Sequence, residues 1–252
     1  MREERLKRIE QYLLQHEVCR LDTLSELMGV SKMTVRRDVD ALCEMGVVHK
    51  VYGGVRHNRR QGVAPLLSYF QREVAHVKEK DYIGSIAGGL THEKEVVFLD
   101  SGTTIPLLVK YLSGKQVNIV THNLSALGEC SKQAGLNLFG LGGEYNRMGS
   151  SFAGELTQEE VGRYNITTAF IAATGVSLEV GYTCSIPLEA AIKRLVIQKA
   201  TRVYALVDHT KWNVSAMMTF AKLTDIQGVI TDRRPPAEFM NLFQQNGIEV
   251  HY

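Results

Sequence analysis

A run of small polar residues at positions 100–104 has the composition of an anion-binding loop. It follows the apolar stretch 96–99 and precedes a stretch whose apolar residues have helical spacing. Amides at a helix N-terminus attract anions, and glycine lets a ligand approach the backbone closely. The residues that would bind a phosphate in this way are Asp100, Ser101, Gly102, Thr103 and Thr104. From these residues alone, an ordinary strand-to-helix turn capped by Ser and Thr is an equally good interpretation.

Further polar residues follow other predicted strands in the same manner. They are Thr121, His122 and Asn123, then Gly142, Gly143 and Glu144, then Gly175, and finally Asp208, His209, Thr210 and Lys211. Because the carboxyl ends of parallel strands meet at one edge of a sheet, we expect these groups to form a pocket there. Glu189 and Lys193 lie four residues apart on a predicted helix, and this spacing alone is typical of a surface ion pair.

The elements that must position these residues alternate along the chain. Apolar, β-rich runs occur at 96–100, 117–121, 136–141, 169–173, 203–207, 229–231 and 248–251. Helices are predicted at 78–90, 104–112, 124–134, 186–200 and 235–246. This alternation predicts an α/β fold with a mainly parallel sheet that is covered on both faces.

A second group of residues, near the N-terminus, has the side-chain types that contact DNA. Ser31 is predicted to cap a helix that runs to about position 45. The buried face of this helix would carry Val35, Val39 and Leu42. Its outward side chains near the N-terminus would then reach base edges, as in a helix-turn-helix. Arginine pairs bidentately with guanine, and lysine or threonine reaches bases and phosphates. The candidate DNA contacts are Ser31, Lys32, Met33, Thr34, Arg36 and Arg37.

Two shorter helices are predicted before this recognition helix. An amphipathic helix over 3–15 precedes one over 22–28, for which Asp22 is the expected N-cap. Gly29 suits the left-handed position that ends a helix. Asp38 is the exception on the recognition helix, because DNA repels a carboxylate. We expect Asp38 to orient a neighbouring arginine or to pair with a residue of another helix.

The segment after the recognition helix is predicted to form a wing. Residues 47–56 contain two β-rich pieces around a Gly-Gly pair, a pattern typical of a tight hairpin. Its candidate phosphate contacts are Lys50, Tyr52 and Arg56. The sequence therefore predicts a small winged helix-turn-helix over 1–57, a polar linker over 58–73 and a larger α/β domain over 74–252.

The composition agrees with a globular, DNA-binding chain. Of 252 residues, 44% are hydrophobic and 22% charged, which is ordinary for a soluble protein. Residues 1–60 hold 12 lysines and arginines against 9 acidic residues, a modestly basic excess. The charged N-terminus lacks the apolar core of a signal peptide, and no run of apolar residues is long enough to span a membrane. The expected location is therefore cytoplasmic. The four cysteines are too scattered for a structural zinc site, so neither a metal nor a cofactor is expected.

The N-terminal pattern resembles the DeoR family of bacterial transcription regulators, and the resemblance extends over nearly the whole chain. The matching residues are Gly29, Val30 and Ser31, then Thr34, Val35, Arg36, Arg37 and Asp38, then Leu42, Gly46, Tyr52, Gly53 and Gly54. The resemblance implies an effector domain similar in fold to ribose-5-phosphate isomerase, with phosphate bound at 100–104. It also implies ligand contacts from Thr121, Asn123, Gly143, Lys193, Asp208 and Lys211.

The resemblance implies a regulator of sugar catabolism, typically a repressor that a phosphorylated sugar releases from its operator. The expected partners are double-stranded DNA, that sugar phosphate and further copies of the chain, without a membrane. An activator with the same architecture is an alternative that the sequence does not separate. An isomerase-like enzyme is a second alternative, because several candidate site residues are acids and bases. We do not expect an enzyme, since turnover of the ligand would erase the signal that a DNA-binding head reports.

Overall fold

The computed structural model describes residues 2–16, 18–45, 47–57 and 67–252. The chain divides into two compact units, Met1–Gly62 and Val63–Tyr252. Within the described residues, none of the helices has the length and apolar character needed to cross a membrane.

The N-terminal unit has the order of elements expected for a winged helix-turn-helix. Its elements are α1 (Arg2–Gln15), α2 (Leu21–Met28), α3 (Lys32–Glu44), β1 (Val48–Val51) and β2 (Gly54–His57). The predicted buried stripe of α3 is confirmed, since Val35, Val39 and Leu42 are all buried. They pack with apolar residues of α1, α2 and the two strands in one core.

The helix ends follow local capping rules with one exception. Gly29 ends α2 in the left-handed conformation with a φ of 64°, and the Ser31 side chain accepts a hydrogen bond from the Thr34 amide at the start of α3. The expected N-cap at Asp22 is wrong. Arg20 occupies that position without a side-chain cap, and Asp22 lies in the first turn. Its carboxylate instead pairs with Lys32, across the turn, at 2.9 Å.

Asp38 pairs with another helix, which is one of the two roles expected for it. Its buried carboxylate accepts hydrogen bonds from Nε of Arg5 at 2.5 Å and from Nη2 of Arg5 at 3.3 Å. Charge-assisted hydrogen bonds of this kind are stronger than neutral ones. The pair therefore ties α1 to the inner side of the recognition helix.

The wing is a two-stranded antiparallel hairpin closed by Tyr52 and Gly53. Cys19 joins its edge, because the Cys19 amide donates to the Val55 carbonyl at 2.9 Å and the Val55 amide donates to the Cys19 carbonyl at 2.8 Å. A side chain at Gly54 would place its Cβ 2.4 Å from the Cys19 carbonyl oxygen. Only glycine therefore allows this close approach of the two backbones.

The C-terminal unit is an α/β domain, as predicted. Its strands are β3 (Val96–Leu99), β4 (Val117–Thr121), β5 (Leu136–Gly140), β6 (Glu144–Asn146), β7 (Ser151–Ala153), β8 (Thr168–Ala172), β9 (Gly175–Ser177), β10 (Gly181–Cys184), β11 (Arg202–Leu206), β12 (Met218–Ala221), β13 (Gly228–Ile230) and β14 (Glu249–His251). Its helices are α4 (Tyr69–Glu73), α5 (Val77–Gly89), α6 (Ile105–Val109), α7 (Leu124–Cys130), α8 (Glu155–Val161), α9 (Pro187–Lys199) and α10 (Ala237–Gln245). Short 3-10 turns follow at Lys110–Leu112 and His209–Lys211.

Within residues 67–252, seven strands form one parallel sheet in the order β14-β13-β11-β8-β3-β4-β5. Alternate residues of a strand point to opposite faces. On β3, Phe98 joins a core with residues of α8, α9 and α10, whereas Val97 and Leu99 join a core with residues of α5, α6 and α7. The sheet is therefore covered on both faces, as the alternating pattern predicts.

The sheet reverses its winding between β3 and β8. From β3 the chain adds β4 and β5 toward one edge, and from β8 it adds β11, β13 and β14 toward the other. Two neighbouring strands at such a reversal leave a crevice at their carboxyl ends, where ligands of open α/β sheets bind. The loops after β3 and β8 lie at this point.

The expected linker over 58–73 is wrong at its C-terminal end. Positions 58–66 lie outside the described residues, but α4 occupies Tyr69–Glu73 and belongs to the C-terminal unit. Ser68 and Gln71 form a reciprocal capping box, and Tyr69 is buried. Local polarity suggested a loop, but the cap and one buried aromatic ring stabilise a short helix.

Several small elements were not expected from the pattern. Strands β6 and β7 pair antiparallel, as do β9, β10 and β12, and α8 lies between β7 and β8. These strands are three or four residues long. So few residues do not develop a recognisable alternation.

Candidate functional site

The recognition helix exposes the residues that were predicted to contact DNA. Lys32, Met33, Arg36 and Arg37 are all exposed, and the Met33 side chain is 63% exposed. Thr34 is half-buried and Ser31 caps the helix. Within the described residues, neither arginine forms an ion pair with a carboxylate, so both guanidinium groups are available to a nucleic acid.

Two of the lysines are already paired within the N-terminal unit. Lys32 lies 2.9 Å from Asp22, and Lys50 lies 2.5 Å from Asp40. All four side chains are more than 40% exposed, and ion pairs of this kind contribute little. A DNA phosphate would therefore replace either carboxylate easily. At the tip of the wing, Tyr52 is fully exposed, whereas Arg56 is half-buried.

In the C-terminal unit, the predicted loop at 100–104 lies at the winding reversal and is organised around the Asp100 carboxylate. Asp100 is buried and accepts hydrogen bonds from the Ala172 amide at 2.9 Å, from the Lys193 ammonium, and from His122 Nε2 at 3.4 Å. Lys193 also donates to the Ala172 carbonyl at 3.0 Å and to Ser101 Oγ at 3.4 Å. These contacts join β3, β8 and α9.

The charges of this pair stabilise each other. Burial alone would raise the pKa of Asp100, but Lys193 and His122 outweigh it and hold that pKa below its ordinary value. Burial alone would lower the pKa of Lys193, but Asp100 and Glu189 raise it above the ordinary value. The pair is therefore ionised at neutral pH inside the protein.

Lys193 and Glu189 are not the surface ion pair that their spacing suggests. Their side chains are buried on α9, and Glu189 accepts from Ser151 Oγ at 2.7 Å. The spacing correctly placed both on one helix face, but the face turns inward toward Asp100. Tertiary packing, which spacing does not contain, decides between the two arrangements.

Gly102 is a glycine for steric reasons. It has a φ of 111°, and an added Cβ would lie 2.8 Å from the Cβ of Ala172. The loop after β3 thus packs directly against the end of β8. Ser101, Thr103 and Thr104 are also largely buried in this loop.

Thr121 and Asn123 support the loop from the end of β4. Thr121 Oγ1 donates to the Leu99 carbonyl at 2.6 Å. Asn123 Nδ2 donates to the carbonyls of Asp100 at 3.2 Å and Gly102 at 3.0 Å, and its Oδ1 accepts from the Ala126 amide. Both side chains are fully buried. Their described contacts hold the loop in place, and direct ligand contact stays a prediction.

Asp208 and Lys211 lie at the end of β11, which is separated from β3 by β8 alone. Two strand spacings correspond to roughly 10 Å. Lys211 Nζ lies 3.7 Å from Asp208, whose other oxygen accepts from the Thr210 amide at 2.9 Å. Burial would raise the pKa of Asp208, but Lys211 and Thr210 outweigh it and lower that pKa. Lys211 is partly exposed at this edge.

Gly143 differs from the other predicted ligand residues. It is exposed and has a φ of 138°, and an added Cβ would meet Thr157 Oγ1 at 2.2 Å and the Ala153 carbonyl at 2.7 Å. This position requires glycine for packing against β7 and α8. Among the described contacts, none joins Gly143 to residues 100–104.

His122, one of the polar residues expected after β4, is buried beside Asp100, and its Nδ1 lies 2.7 Å from the Phe152 carbonyl. The structure also adds a residue that the sequence analysis did not name. Lys80 is buried on the inner face of α5, together with Ile83 and Ala87. The spacing of these three residues is helical, so a lysine within an apolar stripe was the available signal.

A cleft that includes Glu189 is also lined by Leu67, Arg72, Met148, Thr174, Ser185 and Ile186. Within the described residues, no His, Cys, Asp and Glu group has the arrangement of a metal site.

Both units match domains of one family. The DeoR-like helix-turn-helix domain matches residues 5–61, and the DeoR C terminal sensor domain matches residues 75–233. The chain belongs to the DeoR family. The resemblance seen in the sequence is therefore confirmed, as is a DNA-binding head followed by an α/β sensor domain.

Relatives of this DeoR-family chain cover it almost completely. The HTH-type transcriptional regulator IolR of Bacillus subtilis (strain 168) is 34% identical over 98% of both chains. The HTH-type transcriptional repressor GlcR of the same organism is 31% identical over 98% of this chain and 95% of its own. A lactose phosphotransferase system repressor of Streptococcus mutans is 28% identical over 92% of each.

The structural likeness to enzymes is weaker. A ribose-5-phosphate isomerase complexed with phospho-erythronic acid is 15% identical, with a TM-score of 0.39 over 53% of this chain and 52% of its own. The DeoR family and the relatives are transcription regulators, so the chain is a regulator and not an enzyme.

The stability of the sensor unit should depend strongly on the Asp100–Lys193 pair. Asp100→Ala and Lys193→Met should each lower the free energy of unfolding by about 3–5 kcal/mol, because each leaves one buried charge without its partner. The double variant should lose about 1–3 kcal/mol less than the sum of the single losses. Urea unfolding of the four proteins measures this coupling.

The exposed pair Glu129 and Lys132, 2.8 Å apart, is the matched control for this cycle. Its variants Glu129→Gln and Lys132→Met should couple by less than about 1 kcal/mol. A coupling at Asp100 and Lys193 no larger than that of the control would contradict the buried pair.

Proposed function

We propose that this chain is a transcriptional repressor of sugar-metabolism genes. The relatives named as repressors include GlcR and the lactose phosphotransferase system repressor, and they match this chain from end to end. Their names support repression of genes for sugar use, whereas nothing in them favours activation. The operator lies in double-stranded DNA, and the inducer is a phosphorylated sugar.

DNA recognition rests on the N-terminal unit. Helix α3 enters the major groove and presents Arg36 and Arg37 to base edges, with Lys32, Met33 and Thr34 beside them. Ser31, Lys50, Tyr52 and Arg56 contact phosphates on either side. One head of this size buries only about 600–1,000 Å² on DNA, which is small for a specific complex. We therefore propose a symmetric oligomer that places two heads on a repeated site.

Effector recognition rests on the loop at 100–104, and one observation carries it. The loop lies at the winding reversal of the sheet, and Ser101 Oγ in this loop accepts a hydrogen bond from the buried Lys193 ammonium at 3.4 Å. Among the described residues, the amides of positions 101–104 find no backbone acceptor in a turn or loop. Consecutive unpaired amides form an anion-binding concavity. The phosphate binds there, and Lys211 and Asp208 contact the sugar from the end of β11.

The DNA-binding part predicts separable variants. Arg36→Ala or Arg37→Ala should weaken operator binding by roughly 5- to 150-fold, the loss of one bidentate contact to a base. Ligand binding should not change. Fluorescence anisotropy with labelled operator DNA measures the first property, and calorimetry the second.

Arg163→Ala is the matched control, because it removes an exposed arginine from the sensor unit. It should leave the operator affinity within about twofold of the parent protein. Equal losses in Arg37→Ala and Arg163→Ala would show a nonspecific charge effect instead of recognition by α3.

The sensor part predicts stabilisation by a phosphorylated sugar. A thermal-shift screen of pentose, hexose and polyol phosphates should raise the unfolding midpoint with at least one compound. A ligand at 100 times its Kd contributes about 2.7 kcal/mol by mass action. Lys211→Met should abolish this shift and leave operator binding intact.

Lys222→Met removes an exposed lysine from the same unit and should behave like the parent protein. The unphosphorylated sugars serve as ligand controls. A screen in which unphosphorylated sugars stabilise as strongly as their phosphates would refute the proposed phosphate site.

A further inference from the structure

The main-chain carbonyl of Arg72, at the end of α4, is a meeting point of three elements. It accepts hydrogen bonds from the Lys80 ammonium of α5, from Thr103 Oγ1 of the loop at 3.4 Å, and from the Ala75 amide at 3.3 Å. The Arg72 guanidinium donates to the Met148 carbonyl at 2.8 Å. One peptide group thus connects α4 to the candidate phosphate loop.

Lys80 has an unusual environment for a lysine. It is 4% exposed, and within the described part of the chain its ammonium donates to a neutral carbonyl without an ion-pair partner. Burial lowers the pKa of Lys80 to about 8, and Lys211 and Arg72 add to this effect, whereas Asp208 opposes it. A buried ammonium without a close anion is costly, so an anion that arrives nearby would be stabilised by it.

We propose that an anion bound at 101–104 takes Lys80 and Thr103 away from the Arg72 carbonyl, and so weakens the attachment of α4 to the rest of the sensor unit. This inference rests on the proposed phosphate site. A charged oxygen is a stronger acceptor than a carbonyl, and Thr103 belongs to both arrangements. After the exchange, the Arg72 carbonyl keeps only the Ala75 amide. Lys80 and Thr103 therefore donate either to the Arg72 carbonyl of α4 or to the bound anion.

The position of α4 in the chain gives this exchange a consequence. Helix α4 follows directly, in sequence, on the stretch that connects the DNA-binding unit to the sensor unit. The two family domains match residues 5–61 and 75–233, so α4 lies outside both. When α4 is held less firmly, the sensor unit also holds the end of that connecting stretch less firmly. The sensor thereby acts on the DNA-binding unit through a short segment of its own.

Hydrogen exchange of the full-length protein, with inorganic phosphate as the probe, tests this inference. At matched ionic strength, phosphate should slow exchange at the amides of 101–105. It should speed exchange at the amides of 69–75 by about three- to tenfold, as expected for the loss of one or two hydrogen bonds. Slower hydrogen exchange at 101–105 with unchanged or slower hydrogen exchange at 69–75 would overturn the proposed weakening of α4. No protection at 101–105 would instead contradict the phosphate site itself, and the proposed change of hydrogen-bond acceptor would fail with it.

A variant measured without any ligand tests the role of Lys80 separately from the phosphate site. Lys80→Met should show fast exchange at 69–75 before phosphate is added, and no further increase afterwards. Lys78→Met, an exposed lysine on the same helix, should behave like the parent protein. Unchanged exchange across α9 shows that the variant is folded. If Lys80→Met does not fold, Thr103→Val removes one donor at nearly constant size and should speed exchange at 69–75. The role of these two donors would be overturned by parent-like hydrogen exchange at 69–75 in the folded Lys80→Met protein. If that variant does not fold, the same result in Thr103→Val would overturn it.

Discussion

The buried ion pair of Asp100 and Lys193 is the interaction on which the sensor unit depends. It joins residues that are 93 positions apart in the chain, and it lies between the two strands where the sheet reverses its winding. A buried charge is tolerated only with a partner and further hydrogen bonds. Ala172, Ser101 and His122 provide those bonds. The pair therefore fixes the loop after β3 against β8 and α9.

The surrounding elements serve this arrangement. Asn123 holds two carbonyls of the loop, and Gly102 allows the loop to pack on Ala172. The ends of β8 and β11 bring the cleft and the Lys211 ammonium to the same edge of the sheet. Helix α4 reaches the loop through the Arg72 carbonyl. Groups from five separate stretches of sequence therefore meet at this edge of the sheet.

Local pattern predicted the parts that depend on local physics. The stripe Val35, Val39 and Leu42, the Ser31 cap and the alternation of strands and helices follow from helical periodicity, capping and the βαβ arrangement. The parts that failed depend on contacts between distant residues. The inward turn of Glu189 and Lys193 is set by Asp100. Helix α4 is held by a capping box, the buried Tyr69 ring and the hydrogen bonds of Arg72. The sequence placed His122 at the end of a strand, but its contact with Asp100 exists only once β4 lies beside β3.

We expect effector binding to the sensor unit to oppose operator binding by the head. Linkage requires the two ligands to affect each other's affinity by the same factor. The direct measurement is a calorimetric titration of the stabilising sugar phosphate into the protein alone and into the protein saturated with operator DNA. The affinity for the sugar phosphate should be weaker by roughly 5- to 150-fold in the complex. Equal affinities in the two titrations would contradict it.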